Sequence, residues 1–212
     1  MTMLRKNQSA RAPLDARGRH AVKMGVAANA RLTSSTALVL LILLAVEGVT
    51  VLRIRPLLTL HVFVGMLLIP PILVKMSSTL WRFAKYYLGS LDYRRNGPPP
   101  TVMRVLGPFV VLLTIVLFAS GILALLAPVS LRSQFLLLHK ASFFLWFVCM
   151  TVHVVGHVGE TTRLGTQDWT SRARLMVAGS KIRRRVLNAS LVVGLILAFV
   201  TIPHVGSWFS GA

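Results

Sequence analysis

Long apolar stretches separated by short polar ones run through most of this sequence. Segments rich in Pro, Gly and charged residues divide them: "RIRP" at 53–56, "RRNGPPP" at 94–100 and "APVSLRSQ" at 127–134. A helix needs about 20 mostly apolar residues to cross a membrane, and five windows approach or exceed that length. The pattern predicts an all-α integral membrane protein, a bundle of about five transmembrane helices. These helices are predicted at 34–52, 57–75, 102–126, 135–158 and 187–209.

Composition supports this prediction. The chain has 212 residues, of which 55% are hydrophobic and only 5 are acidic, and such a sequence is too apolar for an ordinary soluble domain. We expect residues 1–31 to form a basic, disordered cytoplasmic tail and residues 32–212 to form the transmembrane bundle. The tail does not resemble a cleaved signal, because its basic region is long and the apolar segment after it is long enough to span a membrane.

The net charge of +19 is distributed unevenly along the chain. Lys and Arg near membrane helices mark the cytoplasmic side, and most of them lie in the tail and in the loops after the second and fourth predicted helices. This asymmetry predicts a cytoplasmic N-terminus and an extracytoplasmic C-terminus. It also favours anionic lipid over nucleic acid as the partner of the positive charge. The cations expected on the outer side are Arg53, Arg55, Arg132 and Lys140.

Several kinds of chemistry have no motif in this sequence. It contains no GxGxxG after a strand, no GxxxxGK[ST] and no HExxH, so we expect no nucleotide, flavin or zinc-hydrolase site. The single cysteine, Cys149, excludes an intrachain disulfide and the CxxCH attachment of a c-type haem. Any haem must therefore be held without thioether bonds.

Two histidines lie at matching depth in the predicted bundle. His61 is four residues into the second helix and His139 is four residues into the fourth. Both helices run from outside to inside in the predicted topology. Two imidazoles at one depth on parallel helices could bind the iron of a b-type haem from its two faces, each through one ring nitrogen. Packing is the alternative interpretation, although ionisable groups within membrane segments are costly and usually functional.

Two further histidines share a helix face with His139. Fourteen residues at 100° each fall about 40° short of four turns and rise about 21 Å, so His153 points roughly the same way near the other side of the membrane. His157, eighteen residues on, shares the face more closely. Membrane cytochromes stack two haems with such a spacing. His153 is therefore a candidate ligand of an inner haem or a hydrogen-bonded interhelical contact. His157 is expected to be an interfacial residue, with a polar contact to a quinone or a haem propionate as the alternative.

Three segments resemble the small prokaryotic membrane b-type cytochromes related to cytochrome b561 and to the transmembrane part of ferric reductases. They are "HVFVGMLLIPPILVK" at 61–75, "YYLGSLDYRRNGPPP" at 86–100 and "LLHKASFFLWFVCMTVHVVGH" at 137–157. The resemblance implies haem B and electron transfer between the quinone pool and an extracytoplasmic redox partner or an acceptor such as ferric iron. It also implies a multi-pass protein of the bacterial cytoplasmic membrane. We expect an electron-transfer subunit, alone, as a homo-oligomer or in a larger respiratory complex, rather than a self-contained enzyme.

The sequence departs from a symmetrical two-haem pattern. The residue fourteen after His61 is Lys75, where a histidine opposite His153 is needed. An inner haem would require Lys75 or Met76 as its second ligand, a partner subunit, or a five-coordinate iron. Pro70 and Pro71, which lie between His61 and Lys75, are expected to kink the second helix.

Several roles stay open from sequence alone. Glu47, an acidic residue inside the first helix, is expected to pair with Arg53, with proton acceptance from a quinol as the alternative. Gly65 and Gly121 could admit a porphyrin edge or simply allow helices to pack. The alternative function is a haem-free membrane scaffold or small transporter whose histidines bind a metal or relay protons.

Overall fold

The described part of the chain folds into five long helices. The computed structural model describes residues 16–89, 93–94, 101–170, 175 and 177–208. A terminal 3-10 helix, Ile202–Trp208, follows the last α-helix. Each long helix contains a segment long and apolar enough to cross a membrane, which confirms the predicted all-α membrane fold. The helices are α1 Ala16–Leu52, α2 Ile54–Tyr87, α3 Thr101–Leu126, α4 Val129–Gly165 and α5 Ser180–Thr201.

Most of the helices extend past at least one of their predicted ends. Helices α1 and α3 end at Leu52 and Leu126, as predicted. Helix α1 begins at Ala16, so residues 16–31 are helical where a disordered tail was expected, and residues 1–15 lie outside the described part. Apolarity marks only the length that lipid covers, whereas a helix continues wherever its residues favour it. The Ala-rich sequence before residue 31 does so.

Helix α2 passes through Pro70 and Pro71 without interruption. The non-helical backbone angles within α2 occur instead at Leu57, near its start. A proline cannot donate to the carbonyl one turn earlier, so Pro71 leaves the Leu67 carbonyl without its usual helical partner. Helix α5 comes close at this point, because a Cβ added to Gly194 would lie 2.5 Å from the Leu67 oxygen. Glycine is therefore required there for α5 to pack on α2.

Two of the helices, α2 and α4, do not pack extensively on each other. Helix α2 packs on α1 and α5, while α4 packs on α3 and α1. No extensive contact joins α2 and α4 within the described residues. Helices α2 and α4 are therefore not packed directly against each other, although long side chains from the two can meet.

Buried apolar clusters hold α2 to its neighbours. Met66 packs with Ala198 of α5, and Val64 and Leu68 pack with Leu40 of α1. Elsewhere large apolar side chains point outward, as a lipid-facing surface requires. On α4 this outward surface includes Phe144, Leu145, Val148 and Val155.

Candidate functional site

The rings of His61 and His139 face each other across the space between α2 and α4. Their centroids are 6.2 Å apart and their planes are inclined by 77°. The proximity predicted from matched depth is therefore confirmed. We call these two residues the histidine pair, and the side of the bundle where they lie the His61 end.

The ring of His61 is held by helix α1. Its Nδ1 lies 2.9 Å from Glu47 Oε1 and 3.1 Å from Thr50 Oγ1. The Thr50 hydroxyl donates to the Glu47 backbone carbonyl at 2.6 Å and lies 3.3 Å from Glu47 Oε2. Because α1 and α2 are joined by a tight turn at Arg53, residues on either side of this turn meet at similar depth. The prediction that Glu47 pairs with Arg53 is wrong, because the Glu47 carboxylate contacts His61 instead.

The ring of His139 is held by the backbone of helix α3. Its Nδ1 lies 2.9 Å from the Leu117 carbonyl oxygen and 3.5 Å from Ser120 Oγ. A helical side chain points back along its helix and covers the carbonyl one turn earlier. Gly121, four residues after Leu117, leaves room for the His139 ring beside that carbonyl, which also accepts from the Ser120 hydroxyl at 3.0 Å. A Cβ on Gly121 would lie 2.9 Å from His139 Cε1, which is too close for two carbon atoms.

These partners determine which ring nitrogens are free. A backbone carbonyl can only accept a hydrogen bond, so Nδ1 of His139 donates to Leu117, and Nδ1 of His61 donates to Glu47 when that carboxylate is ionised. The Nε2 lone pairs of His61 and His139 are then left for a ligand, and neither atom has a hydrogen-bond partner among the described residues. Metal-bound histidines commonly donate their other N–H to a carboxylate or a backbone carbonyl, as both members of this pair do.

The spacing of the pair also fits a shared iron. Metal–imidazole bonds are about 2 Å long, so two rings whose centroids are 6.2 Å apart are close enough to share one metal ion. The donor set and the Nε2 lone pairs of His61 and His139 would suit a haem iron held by two histidines.

The two glycines near the site touch the pair and its partners. A Cβ on Gly65 would lie 3.5 Å from Glu47 Oε1, an ordinary contact, whereas one on Gly121 would collide with the His139 ring. Gly121 therefore serves to seat a histidine. Gly65 borders the carboxylate that holds the other histidine.

A second group of polar side chains lies further along the same helices, at what we call the Lys75 end. The rings of His153 and His157 are 4.8 Å apart, and both lie within electrostatic range of Lys75. Unlike the histidine pair, His153 has a buried Nδ1 with no hydrogen-bond partner. No described histidine faces His153 from α2. These residues lack the arrangement that fits a haem at the His61 end.

Other predicted residues lie around the edge of the His61 end. Arg53, Arg55 and Lys140 are exposed, and His204 is exposed on the terminal 3-10 helix. The Arg132 guanidinium lies 4.7 Å from the centre of the Trp208 ring, which ties the start of α4 to the end of the chain.

One buried cluster of charged side chains was not predicted from the sequence. Asp168, in the loop after α4, binds Arg183 of α5 through both carboxylate oxygens and lies 3.3 Å from Arg31 of α1. Arg183 also donates to the carbonyls of Ala178 and Val177. Burial alone would raise the pKa of Asp168, but the Arg183 and Arg31 guanidiniums lower it below its usual value. Its residues are far apart in sequence and follow no periodicity that could have revealed them.

Comparisons with known proteins identify no relative. No protein-family model, no curated protein and no solved structure matches this sequence. Within the described residues, no group of three or more His, Cys, Asp and Glu side chains is arranged to hold a metal ion. The geometry of the histidine pair is therefore the principal evidence on function.

Proposed function

We propose that this protein is a membrane b-type cytochrome in which His61 and His139 hold one haem B between helices α2 and α4. One observation carries the proposal: two imidazoles 6.2 Å apart each have their Nδ1 engaged, and each presents a free Nε2. Histidines that only pack need no such matched arrangement. The resemblance of the segments at 61–75 and 137–157 to b-type cytochromes points to the same group.

Residues of this chain hold the imidazoles of His61 and His139 in position. When bound, the haem would supply a one-electron iron couple. Glu47 and Leu117 fix the proton of each imidazole on Nδ1, so that Nε2 is the ligand atom. Gly121 allows the His139 ring to reach the α3 backbone. The surrounding apolar helices exclude water, and exclusion of water is one of the means by which a protein sets a haem's potential.

The electron donor and acceptor are proposed from the binding motifs that the sequence does not contain. Because it carries no nucleotide-binding motif, we propose the quinone pool on one side and an extracytoplasmic redox protein or ferric iron on the other. The distribution of basic residues supports a cytoplasmic N-terminus in a bacterial inner membrane. Arg53, Arg55 and Lys140 are exposed cations near the His61 end that could pair with haem propionates.

A single haem is favoured over two. His153 lacks both an Nδ1 partner and an opposing histidine, so a second haem would depend on Lys75, Met76 or another subunit. The ratio of haem to protein measures this directly. A ratio of one supports the histidine pair alone, and a ratio of two requires a ligand role for His153.

The test is the visible spectrum of the detergent-purified protein, oxidised and dithionite-reduced, with haem quantified as its pyridine haemochrome. The wild type should give the sharp reduced band of a b-type cytochrome. His61→Ala and His139→Ala should each remove it, because each deletes one iron ligand. His204→Ala is the matched control, since it removes an exposed histidine at the same end of the bundle.

Two results would contradict the proposal. One is a colourless wild-type protein after expression with added haem. The other is an unchanged spectrum in both variants of the pair, since the haem would then be bound elsewhere.

One observation favours a second candidate function, proton transfer without haem. The contacts among Glu47, Thr50 and His61 connect three groups that can exchange protons. A colourless protein whose Glu47→Gln variant loses proton flux in liposomes would support this alternative.

A further inference from the structure

The histidine pair is not symmetrical in its hydrogen bonding. The Nδ1 of His139 donates to the neutral carbonyl of Leu117, whereas the Nδ1 of His61 meets the carboxylate of Glu47. Both acceptors lie at 2.9 Å, so the two bonds differ in the charge of the acceptor rather than in length. A carboxylate draws the proton of an imidazole more strongly than a carbonyl does, which increases electron density at the other ring nitrogen.

We propose that Glu47 is a positioning residue that makes His61 the more strongly donating of two unequal haem ligands. This inference rests on the proposed function. A more strongly donating ligand stabilises the more positive, ferric state of iron. Glu47 should therefore lower the midpoint potential of the haem, whereas the neutral Leu117 carbonyl should leave the donor strength of His139 close to that of an ordinary histidine ligand.

The surroundings of Glu47 hold its carboxylate in place. Thr50, whose side chain is fully buried, donates a hydrogen bond within α1 to the Glu47 backbone carbonyl and contacts both the carboxylate and His61. Gly65 lies opposite and leaves room for Oε1. An acidic side chain inside a membrane helix is costly and is usually paired. Here the partner is the imidazole, and the nearby Arg53 is not among the ion pairs of the described residues.

The test is a redox titration of the haem-loaded protein and its Glu47→Gln variant, followed by the visible spectrum. Gln keeps the shape and a hydrogen-bond acceptor but removes the charge. At the wild-type midpoint, the ratio of oxidised to reduced haem in Glu47→Gln should fall about tenfold, a rise of about 59 mV for one electron. Glu160→Gln is the matched control, since it makes the same change at an exposed carboxylate of α4 outside the site, and its midpoint should stay at the wild-type value.

The outcomes separate this inference from the proposed function. A wild type without haem overturns both. A haem-loaded wild type with an unchanged midpoint in Glu47→Gln overturns the role of Glu47 alone. If Glu47→Gln loses its haem, Glu47→Asp decides: recovery of haem supports the carboxylate, and equal loss at unchanged helicity and melting temperature overturns its role.

Discussion

The two ends of the bundle use their carboxylates differently, one half-buried and the other buried. At the His61 end, Glu47 contacts a histidine. At the other end Asp168 binds Arg183 and Arg31, while His153 keeps a buried Nδ1 without a partner. Similar side chains are present in both places, yet only one end has histidines fixed in a single tautomer.

This difference shows that a histidine becomes a candidate ligand through its neighbours. The spacing of His139 and His153 along α4 made both of them candidate haem ligands, although Lys75 stands where a histidine opposite His153 is needed. The hydrogen bonds separate them further, because the Nδ1 of His139 meets the Leu117 carbonyl on α3, whereas the Nδ1 of His153 has no partner among the described residues. The carboxylate at the Lys75 end joins helices instead of orienting an imidazole.

The largest expected effect compares the two histidines of α4. His139→Ala should reduce bound haem more than tenfold, because it removes an iron ligand. His153→Ala should change haem content less than twofold. Haem per protein from the pyridine haemochrome measures both. Equal losses in the two variants would remove the distinction between the ends.

Asp168→Asn should produce the largest loss of stability. It leaves two buried guanidiniums beside a neutral amide, and breaking a buried ion pair typically costs about 3–5 kcal/mol of unfolding free energy. Thermal unfolding in detergent provides the measurement, with Glu160→Gln, an exposed carboxylate of α4, as the control. Haem content at low temperature should be retained. A melting temperature equal to that of the control would show that the cluster adds no stability.

Gly121→Ala should weaken haem binding with little loss of fold stability. The added methyl displaces the His139 ring from the Leu117 carbonyl, and losing such a supporting contact typically costs about 10- to 100-fold in affinity. Haem titration of the apoprotein measures the change. Gly107→Ala is the control on the same helix, because a Cβ there meets nothing within 4 Å. Identical affinities in the two variants would exclude a role for Gly121 in seating His139.

The smallest expected effect is a pH dependence at the Asp168 end. The pKa of Asp168 is lowered in the folded protein, so its contribution to stability is present above the unfolded value of about 3.9. This contribution is lost as pH falls through the lower, folded pKa. The difference in melting temperature between wild type and Asp168→Asn should thus stay constant from pH 7 to about 5 and shrink below about 4. A difference that grows on acidification would contradict this sign.

The five helices could be predicted from sequence because apolar length is a local property. The meeting of His61 and His139 could be predicted as well, since depth in a membrane follows from position along a helix. The partner of Glu47 was missed, although the short turn at Arg53 places residues 47 and 61 at comparable depth. The acceptor of His139 is a backbone carbonyl, and every residue has one. Only Gly121, four residues after Leu117, distinguishes this carbonyl from the others in the sequence.

Helices α1 and α4 are each 37 residues long. At 1.5 Å per residue each measures about 55 Å, against a hydrocarbon core of roughly 30 Å. Roughly half of each therefore lies in the headgroups or in water, and the two touch where Gly165 meets the Ser34 carbonyl. With the buried Asp168 cluster beside this contact, ion pairs and a close backbone contact hold α1, α4 and α5 in one assembly at this end, and these contacts involve no lipid. Detergents that replace the lipid around the helices should leave it intact.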